Sequence, residues 1–511
     1  MTAARPQRRP PLLAELALVA ALGAAQTLTF VHTAFWPGQM LAIALLAWRV
    51  GLASPGRAAL LGLAFGTAWL CAGTWWMFVS MHRYGGLPAW LAALAVFAVS
   101  SFLSLYLAAA MAAVARWRSR GPLGSAALFA ATWLLAELAR GVVFTGFPWV
   151  ASGYAYVDSP LGGYAPWLGV YGLGAVAAGA AAAFGFSRLD TVRAWLAPSV
   201  LLVAAVVLGM FAGSVDFTRP TGTLSVTLLQ GNVAQDEKFS ARFVPEALAL
   251  TAAQLDGARG DLVVGPETVI PLLPSQLDPA WWQQVLARFR QPGRAAIVGL
   301  PLGDEEKGYT NSAAGISAAT AALPGGFYRY DKHHLVPFGE FIPRGFRWFT
   351  ELMNIPLGDF NRGPVTAPSF VVKGERVAPN ICYEDLFGED LAARFVPETS
   401  APTILANISN IGWFGETIAV AQHLQISRMR TLELQRPMIR ATNTGATAVI
   451  DHRGVITKAL APFVRGELDA TVEGRSGLTP FAAWAGRFGL WPLFGAAAAT
   501  LVVAIALRRR P

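Results

Sequence analysis

The sequence predicts a two-part fold: a polytopic α-helical membrane domain of about eight spans, and an exported α/β domain inserted before the last of them. Three observations predict it. Apolar side chains make up 54% of the 511 residues and charged ones only 14%, too little polar surface for a chain surrounded wholly by water. The first 215 positions hold long apolar runs one after another. At DFTRPTGTLSVTLLQGN, beginning at Asp216, the pattern changes to short β-rich runs alternating with helical stretches.

Crossing a hydrocarbon layer about 30 Å thick takes roughly 20 apolar helical residues. Such runs fall at 11 to 31, 34 to 52, 58 to 81, 87 to 115, 122 to 139, 164 to 186 and 194 to 214, with an eighth at 488 to 507. The fifth is followed by GVVFTGFPWVASGYAY, whose glycines and aromatics also fit a segment dipping back into the bilayer. Short cytoplasmic loops retain Lys and Arg, and translocated loops are poor in them. With eight spans, Arg5, Arg8, Arg9, Arg49, Arg57, Arg116, Arg118, Arg120, Arg188, Arg193, Arg508, Arg509 and Arg510 all fall on one side. Only Arg83 and Arg140 fall in short loops of the other. Both termini are therefore expected in the cytoplasm. The basic leader of the first run is read as a retained anchor, because no small-residue cleavage site stands out and six more spans follow. The net charge of +9 reports these loop arginines, not nucleic-acid binding.

The expected division is a transmembrane domain at 1–215, an exported catalytic domain at 216–485 and a C-terminal transmembrane helix at 486–511. In the exported part TLSVTLLQ, DLVVGPE, AAIVGL, SFVVKG, RVAPNIC, TILANIS and ATAVID read as strands. VPEALALTAAQLD, PAWWQQVLARF and AVAQHLQISRMRTLELQ read as helices. About 250 residues of such alternation bury one α/β core.

Within that domain NICYED places Cys382 between an apolar strand and a stretch, EDLFGEDLAARF, that reads as helical. The other cysteine, Cys71, lies inside a membrane span and cannot pair with it. A lone thiol is often a buried structural residue. At a strand-to-helix turn, however, helix amides are available to favour a thiolate. A thiol nucleophile needs a base and an oxyanion donor. His333, His334, His423 and His452 are candidate bases. Glu267, after the apolar strand of VVGPETVIP, is another, since apolar neighbours raise a carboxyl pKa toward the general-base range. YRYDKHHLVPFGEFIP supplies Lys332, one of only five lysines among 40 basic residues, and Glu340 between Phe338 and Phe341. A compact ammonium suits a place where a guanidinium fork does not fit.

GPE with Glu267, YDKHHLVPFGE with Lys332, and NICYED with Cys382 occur in the order and spacing of the Glu-Lys-Cys set of the nitrilase superfamily. With QGN near 230, Asn311-Ser312, NISNIGWFG and the spans, the whole chain resembles the apolipoprotein N-acyltransferases, the membrane-embedded family of that superfamily. The resemblance implies an αββα sandwich and a two-step transfer in the bacterial inner membrane, with the catalytic domain periplasmic. Cys382 would take a fatty acyl chain from a phospholipid as a thioester. It would then pass the chain to the α-amino group of a diacylglyceryl-cysteine at the N-terminus of an apolipoprotein. Glu267 would move the protons and Lys332 would hold the oxyanion.

The same resemblance makes Glu340, Tyr383 and Glu384 supporting residues, and Phe239, Asn311, Phe341, Trp348 and Trp413 contributors to substrate binding. FIPRGFRWFTELMNIPLGDF, with Phe341 and Trp348, fits an apolar lid at the membrane interface. Two departures stand out: Phe239 where the family has tryptophan, and Ile411 where aspartate is common. Without ligand-spaced metal residues or a glycine-rich phosphate loop, no metal, nucleotide or other cofactor is expected.

Three other readings compete. A membrane-anchored amidase would use the same triad with water as acceptor, although one span would tether it. A transporter would place ionisable groups along its spans, where only Glu15 and Glu137 stand out. A Cys-His protease would use His333 or His334.

Overall fold

The computed structural model describes residues 11–119, 121–187, 190–343 and 359–509. The first part is a bundle of seven helices: α1 (Leu12–Ala25), α2 (Trp36–Gly51), α3 (Pro55–Thr74), α4 (Ala89–Trp117), α5 (Pro122–Val142), α6 (Ala165–Phe186) and α7 (Val192–Gly213). Proline opens the first turn of α2, α3, α5 and α6, where its missing N–H costs nothing and its fixed φ suits the helix. A last helix closes the chain at Trp491–Arg509. Among the described residues seven helices are long and apolar enough to cross a membrane. The second expected span is α2, at 16 residues shorter than such a crossing needs.

The region after α5 is neither a continued span nor a plain loop. Short 3-10 turns at Val143–Thr145, Ser152–Tyr156 and Pro160–Tyr164 fold back against the bundle. The two acidic residues noted inside the spans are internally paired. Glu15 meets Arg49 and Arg57, and Glu137 meets Arg140 at 3.3 Å and accepts from the Ser152 amide at 2.7 Å. Paired in this way, they leave the transporter reading without the pathway charges it requires.

The second part is built on twelve strands. They run β1 (Thr218–Gln230), β2 (Leu262–Val264), β3 (Ala295–Asp304), β4 (Gly308–Ser317), β5 (Tyr328–Asp331) and β6 (Phe370–Val372). They continue with β7 (Glu375–Ile381), β8 (Ile404–Ser409), β9 (Met438–Thr442), β10 (Ala448–Ile450), β11 (Ile456–Ala459) and β12 (Gly466–Gly477). Two six-stranded sheets result, one in the order β12-β1-β2-β3-β4-β5 and the other β11-β10-β9-β8-β7-β6. Within each sheet three neighbouring strands are parallel, β1-β2-β3 and β7-β8-β9. Such strands are buried on both faces and read as continuous apolar runs, which is why all of them but β9, whose MIRAT carries a buried arginine, are visible in the sequence.

The sheets face each other across Leu224, Val226, Ile297, Val377, Ala406, Ile408 and Ile439. Helices α8 (Val244–Gly257) and α9 (Pro279–Phe289) cover the outer face of the first sheet. Helices α10 (Gly388–Ala393), α11 (Ile418–Leu434) and α12 (Pro480–Phe488) cover the second. The result is an αββα sandwich.

Two sequence expectations need correcting. EDLFGEDLAARF is not one helix: a 3-10 turn at Cys382–Leu386 is followed by the six-residue α10. The cause is local, because Cys382 has φ +52 and the Glu384 carboxylate accepts from the Ile381 amide at 2.7 Å, holding a tight turn. Strands β4, β5, β9, β11 and β12 go unseen in the sequence: YRYD, MIRAT and ITKA are short and carry charges, and GYTNSAAGIS and GELDATVEGRSG are rich in small and charged residues.

The two parts are joined through α11. Its Ala419, Val420, Ile426 and Met429 belong to the same apolar cluster as the membrane bundle. Gln422 accepts from the indoles of Trp76 and Trp149 at 3.1 and 2.9 Å and donates to the Gly73 carbonyl at 3.0 Å. Helix α6 is broken at Gly169, where φ is +67 and a Cβ would lie 2.4 Å from the Phe481 ring. The amide of Val170, just after the break, donates to Glu433 of α11 at 2.6 Å.

Candidate active site

The loop after β2 delivers Glu267, the loop after β5 delivers Lys332, and the end of β7 delivers Cys382. Glu267 and Lys332 are both buried, and the Lys332 ammonium lies 3.3 Å from Glu267 Oε1 and 2.9 Å from Glu340 Oε1. Asn311 Nδ2 bridges the same two carboxylates, at 2.7 Å from each. The Asn410 main-chain N–H donates to Glu267 Oε2 at 2.8 Å. Glu340 also accepts from the Val336 amide at 2.8 Å.

These contacts set the charges. Burial pushes the Glu267 carboxyl upward, but Lys332, Asn311, Lys238 and the Asn410 amide outweigh it and hold the group below the usual glutamate value. The sequence expectation of a raised carboxyl is therefore corrected: apolar neighbours are present, but two ammonium groups dominate. Burial works against the Lys332 charge as well, yet Glu267 and Glu340 raise its pKa. Cys382 is partly buried at the edge of the core between the sheets. Burial first, then the Glu267 charge, pushes its thiol up to about 12, with Lys332 opposing. The resting cysteine is a thiol, so the expected thiolate is corrected too: the short 3-10 turn does not outweigh burial beside a carboxylate.

Glu384 ties the cysteine turn to the lysine loop. Its carboxylate accepts from the Ile381 amide at 2.7 Å, the His333 amide at 2.7 Å and the Tyr330 hydroxyl at 2.8 Å. Tyr383 points to the membrane part, its hydroxyl donating to the Gly146 carbonyl at 3.0 Å. Phe239 stacks on Trp413 with ring centres 6.2 Å apart, and Trp413 meets Tyr84 edge-on at 5.8 Å. Phe341 is half-buried under the Arg362 guanidinium, 4.8 Å from its ring centre. Trp348 and most of the expected lid, residues 344–358, lie outside the described residues.

The histidines serve other ends. His333 Nδ1 meets the Gly363 carbonyl at 2.7 Å, and His334 bridges Asp390 and the Thr145 carbonyl at 3.1 and 2.7 Å. His423 Nε2 meets the Cys382 carbonyl at 3.2 Å rather than its sulfur, and burial keeps that ring neutral. The protease reading loses its base.

Several neighbours escape sequence reasoning. Asn410 acts through its main chain, which no residue type advertises. Gly299 was legible in principle, as a glycine inside an apolar strand. A Cβ there would lie 2.6 Å from both the Pro266 carbonyl and the Thr268 amide, so the strand backs directly onto the Glu267 turn. Positive φ angles at Thr268 (+47) and Cys382 (+52) mark the same turns, conformations that cost of order 1–3 kcal/mol each and cluster at functional sites. Among the described residues no group of His, Cys, Asp and Glu could hold a metal ion.

The family model described as carbon-nitrogen hydrolase matches residues 225–479, the sandwich that carries Glu267, Lys332 and Cys382. The model described as the apolipoprotein N-acyltransferase N-terminal domain matches residues 22–183. The apolipoprotein N-acyltransferase of Verminephrobacter eiseniae is 51% identical over 93% of this chain and 92% of its own. That of Ralstonia nicotianae is 46% identical over 96% and 93%, and that of Bordetella bronchiseptica 42% over 99% of both. The chain belongs to the apolipoprotein N-acyltransferase family.

Proposed function

We propose that this membrane enzyme moves a fatty acyl chain from a phospholipid to the α-amino group of a diacylglyceryl-cysteine at the N-terminus of an apolipoprotein, through a thioester on Cys382. The observation that carries the reading is the single buried cluster of Glu267, Lys332 and Glu340, electrostatically in reach of the Cys382 thiol. Glu267 takes the thiol proton as sulfur attacks the ester carbonyl. Lys332 stabilises the tetrahedral oxyanion, an interaction worth on the order of 10² to 10³ in rate. Collapse breaks the ester bond, and the proton on Glu267 passes to the departing lysophospholipid hydroxyl. The acceptor amine then attacks the thioester, Glu267 accepts its proton, and the amide forms as the thiol is restored.

Carrying the chain on sulfur lets two lipid-anchored substrates be bound in turn. The arginine distribution supports a catalytic domain on the periplasmic side of the inner membrane with both termini in the cytoplasm. Phe239, Trp413 and Phe341 contact lipid in this reading, supported by the Phe239–Trp413 stack and the half-buried Phe341 ring, and the hydrogen bonds of Glu340, Asn311, Tyr383 and Glu384 support their role in holding the machinery. Offering the acyl-loaded enzyme a diacylated peptide with a free α-amine, against water alone, tests the acceptor. The expected result is rapid N-acyl peptide formation and slow release of free fatty acid; rapid release in water would favour the amidase reading.

A further inference from the structure

The turn Gln235–Lys238, just beyond the QGN run, reaches Glu267 directly through Lys238 and indirectly through Asn410. Lys238 is buried, 4% exposed, and its ammonium donates to the Glu267 main-chain carbonyl at 2.8 Å. That carbonyl is the only hydrogen-bond acceptor of the Lys238 ammonium among the described residues. At the other end of the turn Gln235 Oε1 accepts from Asn410 Nδ2 at 2.8 Å, and the Asn410 main chain holds Glu267 Oε2. Asn443 fixes Asn410 in turn, its Nδ2 donating to Asn410 Oδ1 at 3.0 Å.

We propose that Lys238 is a positioning residue of the acyl transfer, fixing the Glu267 main chain and supplying a second positive charge that keeps the Glu267 carboxylate ionised until it takes the thiol proton. The proposal rests on the base role given to Glu267 above. A merely structural lysine has no reason to be desolvated, since a methionine would fill the same space at lower cost. The charged and titratable groups facing it are Glu267, on the loop after β2, and Cys382, at the end of β7. Lys332 and Glu340 complete the cluster, which is neutral with both lysines and both carboxylates ionised and the cysteine a thiol. Removing Lys238 leaves one uncompensated negative charge where an oxyanion must form. Burial lowers the Lys238 pKa to about 7 against the opposing pull of Glu267, so its charge is full in acidic solution and is progressively lost as pH rises through 7.

The test is the rate of acyl loading from dioleoyl phosphatidylethanolamine micelles, followed by intact-protein mass spectrometry from about pH 3 to 8 for the wild type, K238M, K238R and E267Q. K238M is expected to load about tenfold more slowly at pH 7, with its acid limb displaced upward by about one unit. K238R, which keeps the charge, is expected to keep the acid limb of the wild type even if its rate falls. Wild-type loading and an unmoved limb in K238M would overturn the proposal. If K238M does not fold, K238R decides: a displaced limb in that variant overturns it. Normal loading by E267Q would defeat the base assignment itself, an outcome distinguishable from failure of the Lys238 role alone.

Discussion

Replacing Glu267 with glutamine keeps the shape of the side chain and removes its charge. Its two oxygens now accept from Asn311, Lys332 and the Asn410 amide, and the NH₂ of a glutamine would face donors instead. Acyl loading by E267Q is expected to fall by about 10² to 10⁴, the usual contribution of a general base. Folding, followed by thermal unfolding in detergent, should persist. The pH dependence has a definite sign. Because the folded pKa of Glu267 is depressed, its contribution to stability is present above the unfolded value of about 4.3 and is lost as pH falls through the folded value. Loading should therefore hold down to about pH 5 and decline only below the normal glutamate range. A decline centred near neutral pH would contradict the assignment.

At the scale of elements, α11 is the pin between the two parts. Glu433 is fully buried, accepts from Val170 beyond the α6 break and pairs with Arg430 at 3.1 Å. Glu433→Ala would deprive a buried guanidinium and the Val170 amide of their carboxylate acceptor, and is expected to destabilise by about 3–5 kcal/mol. Thermal unfolding would show this as a lowered Tm. Burial raises the Glu433 pKa to about 7, with Arg430 opposing. A carboxyl raised on folding stabilises least when deprotonated, so this contribution declines as pH rises from about 4.3 through 7. Glu433→Gln should remove that pH dependence.

For the whole molecule, the bundle and five of the six parallel strands, all but β9, were legible because long apolar runs and continuous Val, Ile and Leu stretches have few alternative readings. Glu267, Lys332 and Cys382 could be singled out because GPE, YDKHHLVPFGE and NICYED occur in the order and spacing that resemble the Glu-Lys-Cys set of the nitrilase superfamily, each motif alone being weak. The charge states were not legible, because they depend on Asn311, Lys238 and the Asn410 amide, brought together only by the fold. Nor was the packing of α11 into the bundle, since its buried Gln422, Arg430 and Glu433 look like a solvated face in the sequence.

The central claim is a fatty acyl thioester on Cys382, and peptide mass spectrometry of the enzyme incubated with phospholipid alone tests it most directly. The account predicts one added acyl mass on the peptide containing Cys382, absent from Cys382→Ser and released by hydroxylamine. An acyl mass on no cysteine, or transfer that survives in Cys382→Ser, would contradict it.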